Sequence, residues 1–222
     1  AVVESIAFLL QANIDEIGKY VAPAKRIRVS GGVSRLDGLC RRLAAVSGLP
    51  DNAAAGILTT RAAAAAFFEA GTNRAMFRFT MLNHLCRDME QVLDTSGIPD
   101  RIRQDVSRSP GGDSRIFLNN CIGCHIGMDP MTQAFAYYNF DAAQGRLVYT
   151  PDQVQAKYFN NDTTFRYGYR TPNDDWANYW RHGPNRILGW DPGRSGSGEG
   201  AKSMGEELAN STAFARCQVE KV

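Results

Sequence analysis

The chain has 222 residues, of which 44% are hydrophobic and 22% are charged, an ordinary composition for one or two folded domains. Its formal net charge of +2 gives no reason to expect a nucleic acid or an anionic membrane as partner. The sequence contains no run of about 18 apolar residues, so it predicts no transmembrane helix.

The first part of the chain changes from a helical to an extended pattern and back. Residues 3–20 carry apolar side chains at helical spacing, and residues 26–30 alternate as a short strand does. Gly31 and Gly32 then predict a tight turn, and Ser34 is a suitable N-cap for a second helix. The predicted order is therefore helix, strand, Gly-Gly turn and helix.

This segment resembles the C-terminal domain of the FGGY carbohydrate kinases, which have the actin-like ATPase fold. The resemblance is carried by Glu4-Ser5-Ile6-Ala7-Phe8, Arg28-Val29-Ser30-Gly31-Gly32-Val33-Ser34 and Leu49-Pro50. It implies that Gly31 and Gly32 lie against the adenosine of ATP, because residues without Cβ permit close backbone approach. It covers residues 1–52 and none of the family's sugar-binding or catalytic parts. We therefore expect an inactive remnant, with ATP bound only by an intact, cytoplasmic parent. A plain helix–strand–helix with an ordinary turn is the alternative.

From residue 53 onward the pattern becomes one of helices separated by polar loops. An alanine-rich helix is predicted at 61–69 and a long helix at 76–93. A short helix begins near Ile98, and Pro-Gly-Gly within the polar stretch 105–114 predicts a loop there. This part of the sequence predicts a mainly α fold.

Cys121-Ile122-Gly123-Cys124-His125 is the most informative motif, because C-x-x-C-H is the attachment sequence of c-type haem. The two thiols add across the two vinyl groups of the porphyrin. The histidine that follows delivers its imidazole to one axial face of the iron. The motif therefore predicts covalent haem on Cys121 and Cys124, with His125 as the proximal iron ligand.

A zinc site and a redox-active C-x-x-C pair are the two alternatives. The other cysteines, Cys40, Cys86 and Cys217, are isolated in the sequence, so a closed four-ligand zinc site is poorly supported. No βαβ pattern surrounds the motif, as a thioredoxin-like pair would require. We expect the three remaining cysteines to be buried free thiols that need not pair.

The elements after the motif are predicted from helix-capping and turn-forming residues. Asp129-Pro130 has the form of an N-cap followed by proline at the first helical position, so a helix is expected from there to about Phe140. The remaining predicted elements are a turn and strand at 141–149, an aromatic helix at 174–182, a Gly/Ser-rich linker at 193–200 and a final amphipathic helix at 203–222.

Residues 53–222 resemble an uncharacterised family of c-type cytochrome domains that occur near the ends of larger exported proteins. The resemblance is carried by Ala55-Gly56-Ile57-Leu58-Thr59, Cys121-x-x-Cys124-His125-x-x-Met128-Asp129-Pro130, Ala134-Phe135, Asn139-Phe140-Asp141, Phe214-Ala215-Arg216-Cys217 and Glu220-Lys221. It implies a cytochrome c-like helical haem domain with long loops, in the periplasm or otherwise exported. A redox partner protein or an adjoining domain would exchange electrons with it.

The second axial ligand decides the function of such a haem. Met204 lies near the start of the predicted final helix, where a distal ligand would suit. His182 ends the predicted aromatic helix, and His84 lies within the long predicted helix. Electron transfer is the expected function. A haem enzyme with an open sixth position is the alternative.

The two resemblances conflict, because a sugar kinase works where ATP is and covalent haem is attached after export. We interpret residues 50–56 as a gene-junction artefact, with a true fusion protein as the alternative. The chain shows no signal peptide, and it begins without Met and stops within a predicted helix. We therefore expect a piece of a longer protein.

Overall fold

The computed structural model describes residues 48–69 and 73–221. The predicted helix–strand–helix, Gly31, Gly32 and Cys40 lie outside the described residues. The described part is mainly helical and carries two small antiparallel sheets, so the mainly α prediction is confirmed at that level. Within these residues, no helix has the length and apolar character needed to cross a membrane.

Six α-helices form the described part of the chain: α1 Arg61–Phe67, α2 Arg74–Thr80, α3 Ser114–Ile116, α4 Ile122–Thr132, α5 Gly200–Ala209 and α6 Thr212–Glu220. Two π-helical turns follow α2 and α3, at Met81–Leu85 and Phe117–Cys121 respectively. Strand β1 Tyr138–Asp141 pairs with β2 Arg146–Tyr149, and β3 Asp175–Ala177 pairs with β4 Ser197–Glu199. Short 3-10 turns connect many of these elements, at Gly56–Thr59, Met89–Gln91, Pro99–Arg101, Pro110–Gly112, Gln133–Phe135, Ala156–Phe159, Tyr179–Arg181 and Pro184–Leu188.

The prediction of one long helix at 76–93 is wrong, because the helix ends partway through this range. Helix α2 ends at Thr80, and the π turn that follows closes at Cys86, whose φ is 53°. Asp88 then starts a new 3-10 turn: its carboxylate accepts a bond from the Met89 N–H, while the Asp88 N–H donates to the Gln91 side chain. This local cap competes with the helical pattern and interrupts it.

The helix after the motif also begins earlier than predicted. Helix α4 starts at Ile122, so Asp129 and Pro130 lie inside it and Asp129 is no N-cap. The Asp129 carboxylate is instead bound by Arg74 from α2 and by His125 one turn earlier in the same helix. Pro130 has no N–H for the Ile126 carbonyl, and the helix ends two residues later. The 3-10 turn Gln133–Phe135 follows, and β1 begins at Tyr138, so no helix reaches Phe140.

Two further helix predictions need correction near the C-terminus. The aromatic segment 174–182 contains β3 and a 3-10 turn, because the Asn178 side chain accepts the Trp180 N–H and caps that turn. The predicted final helix is two helices, because Ser211 caps α6 by accepting the Phe214 N–H. The predicted strand at 141–149 is confirmed as β2.

Helix α4 passes through the middle of the fold. It contacts α2, β3 and the 3-10 turns Pro99–Arg101 and Tyr179–Arg181. Gly127 permits the closest approach, because a Cβ there would overlap the Trp180 indole ring. The main core surrounds the second half of this helix and contains the fully buried side chains of Phe77, Met131, Phe135, Trp180 and Met204. The first half of α4, which carries the C-x-x-C-H motif, is therefore fixed to a rigid base.

Cys86 and Cys217 form a disulfide, which corrects the expectation of isolated free thiols. Their sulfurs are 2.11 Å apart, and the two residues are 131 positions apart in the sequence. The bond ties the end of the first π turn to helix α6. A spacing this long carries no pattern that sequence reasoning could use.

Candidate functional site

The C-x-x-C-H residues lie where the second π turn passes into helix α4. Cys121 ends the π turn, and Cys124 and His125 lie in the first turn of the helix. Residues three and four positions apart share one face of a helix, so the two thiols and the imidazole lie on the same side. The Gly123 carbonyl accepts the Asp94 N–H at 3.1 Å, which holds the loop around Asp94 beside the motif.

Both motif cysteines are free thiols and both are partly exposed. Cys121 packs against a small apolar cluster that includes Phe117 and Ile126. Cys124 packs against the edge of the main core, with its Sγ 4.0 Å from the Met89 carbonyl oxygen. A reagent or cofactor at the surface can therefore reach both sulfurs.

The environment of Cys124 does not activate its thiol as a nucleophile. Burial raises the pKa of Cys124 above its ordinary value, and the negative charge of nearby Glu90 raises it further. The lowered thiol pKa of a reactive C-x-x-C pair belongs to its attacking cysteine, so this shift at Cys124 leaves the redox-active alternative open.

The His125 imidazole is held by a buried carboxylate one helical turn away. Its Nδ1 lies 3.0 Å from Asp129 Oδ1, with the His125 side chain 17% exposed and Asp129 fully buried. Within the described residues, no protein group hydrogen-bonds His125 Nε2. The ring is thus fixed through one nitrogen and leaves the other for a ligand.

Asp129 is ionised because arginine compensates for its burial. Burial alone would raise the pKa of Asp129, but Arg74 and the hydrogen bond from His125 bring it well below its ordinary value. Arg74 donates from Nε to Oδ1 at 2.8 Å and from Nη2 to Oδ2 at 3.1 Å. The backbone N–H of Arg103 also donates to Oδ2, at 3.3 Å.

Arg74 connects this carboxylate to a second one. Its Nη1 and Nη2 each donate to Asp105 at 3.0 Å, while Nε and Nη2 donate to Asp129. Burial alone would lower the pKa of Arg74, but these two carboxylates raise it above the ordinary value. One guanidinium therefore joins α2, the 105 loop and α4 in a charged cluster below the motif.

The described residues do not support the zinc alternative. No group of three His, Cys, Asp or Glu side chains in residues 48–69 and 73–221 is placed to hold a metal ion. Haem requires less of the protein here, since its porphyrin supplies four iron ligands and the motif needs to supply only one.

The motif residues fit a covalent haem. Two free, reachable thiols and an imidazole with an uncommitted nitrogen share one helix face. Apolar surface lies beside them: Leu93, 49% exposed, packs next to Gly123, and Leu118, 54% exposed, lies one turn before Cys121. A bound macrocycle would cover apolar surface of this kind.

The predicted distal ligands lie in different places. Met204 is fully buried on α5, which contacts Gln133–Phe135 at the far end of α4. Met204 therefore belongs to the core around that end of the helix.

His182 is exposed, and the residue after it lies beside the loop that is hydrogen-bonded to the motif. A Cβ on the next residue, Gly183, would lie 2.7 Å from the Asp94 carboxylate, and Asp94 is bonded to Gly123. His84 lies in the first π turn beside the disulfide, and its buried Nε2 has no hydrogen-bond partner in the described part of the chain.

Sequence reasoning missed Asp129, Arg74 and Asp105 as parts of the site. The i, i+4 spacing of His125 and Asp129 was a usable signal, since this spacing brings side chains together on a helix. No local pattern indicates Arg74, which reaches the site from a separate helix. Comparisons with family models, curated proteins and solved structures gave no match to this chain.

Proposed function

We propose that residues 53–222 form a covalent haem c-binding electron-transfer domain of a larger exported protein. The observation that carries the proposal is that Cys121, Cys124 and His125 lie within about one turn of each other, where the second π turn passes into α4. The two sulfurs would hold the haem through thioether bonds, and His125 Nε2 would be its proximal ligand. When bound, haem supplies a one-electron couple.

The disulfide supports export of this part of the chain. Disulfides such as Cys86–Cys217 persist in oxidising compartments and are rare in the cytosol of most organisms. Covalent haem attachment takes place in the same compartments. Two independent cysteine features therefore favour a periplasmic or other exported location, with a redox protein or an adjoining domain as partner.

A haem enzyme with an open sixth position is a second candidate, and the location of Met204 favours it. Met204 belongs to the core at the far end of α4, and His182 is exposed. If neither side chain reaches the haem, a small ligand could bind in its place. Binding of carbon monoxide to the reduced protein distinguishes this enzyme from a six-coordinate carrier.

For residues 1–52 the proposal stays with an inactive remnant of an FGGY-type kinase, joined at residues 50–56 by a gene-junction artefact. Gly31 and Gly32 would contact ATP only in the intact parent domain. The genomic reading frame across residues 45–60 tests this part of the proposal. A continuous, expressed frame would favour a true fusion protein.

Expression of the full chain together with haem-attachment machinery tests the haem proposal. We expect a coloured protein whose Soret band stays with the polypeptide after acid acetone and whose mass rises by one haem. The double variant C121S/C124S should lose the pigment completely. The matched double variant C86A/C217A, which removes the other described pair, should keep it. A colourless wild type, in cells that mature a control cytochrome, would refute the proposal.

A further inference from the structure

The carboxylate below His125 is placed to control that imidazole. Asp129 Oδ1 lies 3.0 Å from His125 Nδ1, and the carboxylate is completely buried. Its other bonds come from Arg74 and from the backbone N–H of Arg103. All of these groups are donors, as an ionised carboxylate requires.

The protonation state of the ring follows from this arrangement. An ionised carboxylate can only accept hydrogen bonds, so His125 Nδ1 must carry the proton. In the neutral imidazole Nε2 is then the bare, electron-donating nitrogen. A backbone carbonyl could fix the same tautomer, but a carboxylate attracts the Nδ1 proton more strongly and makes Nε2 a stronger electron donor.

We propose that Asp129 is a positioning residue that fixes the Nδ1–H tautomer of His125 and lowers the reduction potential of the haem held by Nε2. The second half of this inference rests on the proposed function. A more strongly electron-donating axial nitrogen stabilises the ferric state relative to the ferrous state. The first half concerns only the apoprotein.

A purely structural role is the competing explanation, since Arg74 and Asp129 join α2 to α4. Asp105 provides a matched control for it. Asp105 accepts two bonds from the same guanidinium, at 3.0 Å each, and the described contacts show no bond from it to His125. D105N and D129N thus remove the same charge from the same cluster, but only D129N changes the partner of the imidazole.

The first experiment is nitrogen-15 NMR of the histidine rings in the full-length apoprotein at about pH 9, where free imidazoles are neutral. We expect His125 to show a protonated Nδ1 and a bare Nε2, and D105N to keep this pattern. In D129N the fixed preference for this tautomer should be lost. A wild-type His125 with the proton on Nε2, or a D129N spectrum that keeps the wild-type tautomer, would overturn the proposal.

The second experiment is spectroelectrochemical titration of the haem-loaded chain. D129N should raise the reduction potential clearly more than D105N does, and its iron–histidine stretching frequency should fall. Equal shifts in the two variants would assign the effect to charge alone and overturn the tuning role. If the wild type takes up no haem, the proposed function fails, and the NMR result still decides whether Asp129 fixes the ring. Unfolding curves of both variants identify any loss of fold.

Discussion

The two described pairs of cysteines have opposite roles. Cys121 and Cys124 are three residues apart, share one helix face and remain free thiols. Cys86 and Cys217 are 131 residues apart and are joined in a disulfide. The close pair is held by its own helix and stays open to a cofactor, whereas the distant pair closes a long loop. Sequence spacing thus separates the pair that we propose to bind haem from the pair that cross-links the fold.

Outside the proposed haem site, the largest effect is expected when the Cys86–Cys217 disulfide is removed. C86A/C217A should destabilise the protein by about 2–5 kcal/mol, because the unfolded chain regains the entropy of a long loop. Urea unfolding of the oxidised wild type and the variant measures the difference. The reduced wild type should behave as the variant does. A loss below about 1 kcal/mol would show that the bond is not formed in solution.

A second prediction concerns the helix that carries the open pair. G127A should destabilise the protein by about 1–3 kcal/mol, because a Cβ there overlaps the buried Trp180 ring. G123A on the same helix is the matched control, since a Cβ at Gly123 meets atoms no nearer than 3.5 Å.

Thermal unfolding should therefore separate the two glycine variants, because only G127A should lower the stability of the protein. G123A should be neutral or stabilising by up to about 1 kcal/mol, because alanine favours helix more than glycine does. Under the proposed function, both variants should also keep covalent haem, since neither change touches a sulfur or His125. Equal stability of G127A and G123A would contradict the close packing of α4 on Trp180.

The smallest predicted effect is a pH dependence beside the disulfide. Burial lowers the pKa of His84 from 6.5 to about 4, and Lys221 contributes in the same direction. The unfolded chain then binds more protons than the folded one between these values, so stability is complete above about pH 6.5 and falls toward pH 4. Between pH 7 and pH 5 the loss should be about 1–2 kcal/mol.

H84Q isolates this effect, because other groups titrate in both proteins. Asp174, whose pKa is raised to about 6 mainly by burial, should change stability in the opposite direction over part of the same range. The difference in unfolding free energy between wild type and H84Q should therefore change with pH, while the shared effect cancels. A constant difference from pH 7 to pH 5 would show that His84 is not buried as described.

Local patterns predicted some of these features and failed for others in ways that have physical causes. The predominance of helix and strand β2 follow from short-range periodicity, and the structure confirms them. Helix α4 was placed eight residues too late, because Asp129-Pro130 has the form of a helix start. That carboxylate is used by Arg74 and His125 instead, and no short sequence window contains both partners.

The candidate site also combines features that the local sequence predicts with features that depend on distant contacts. The spacing of Cys121, Cys124 and His125 indicates the chemistry directly, since the motif lies within five residues of chain. The disulfide and the Arg74 cluster depend on contacts across 131 and 55 positions, which local periodicity cannot detect. Ser211 is a good N-cap residue inside an apparently continuous amphipathic pattern. Its side chain accepts the Phe214 N–H, and the predicted single helix is divided there into α5 and α6.

Each cysteine pair begins directly after or within a π turn, with Met81–Leu85 before Cys86 and Phe117–Cys121 ending in the motif. Such a turn accommodates one residue more than an ordinary helical turn. Deletion of a single residue from 117–120 would let α3 run on into α4 as a regular helix. The upstream segment would then rotate by about 100° around the axis while the motif stayed seated on the core. Single-residue insertions and deletions at this point would thus change the surface around the C-x-x-C-H motif without moving the motif itself.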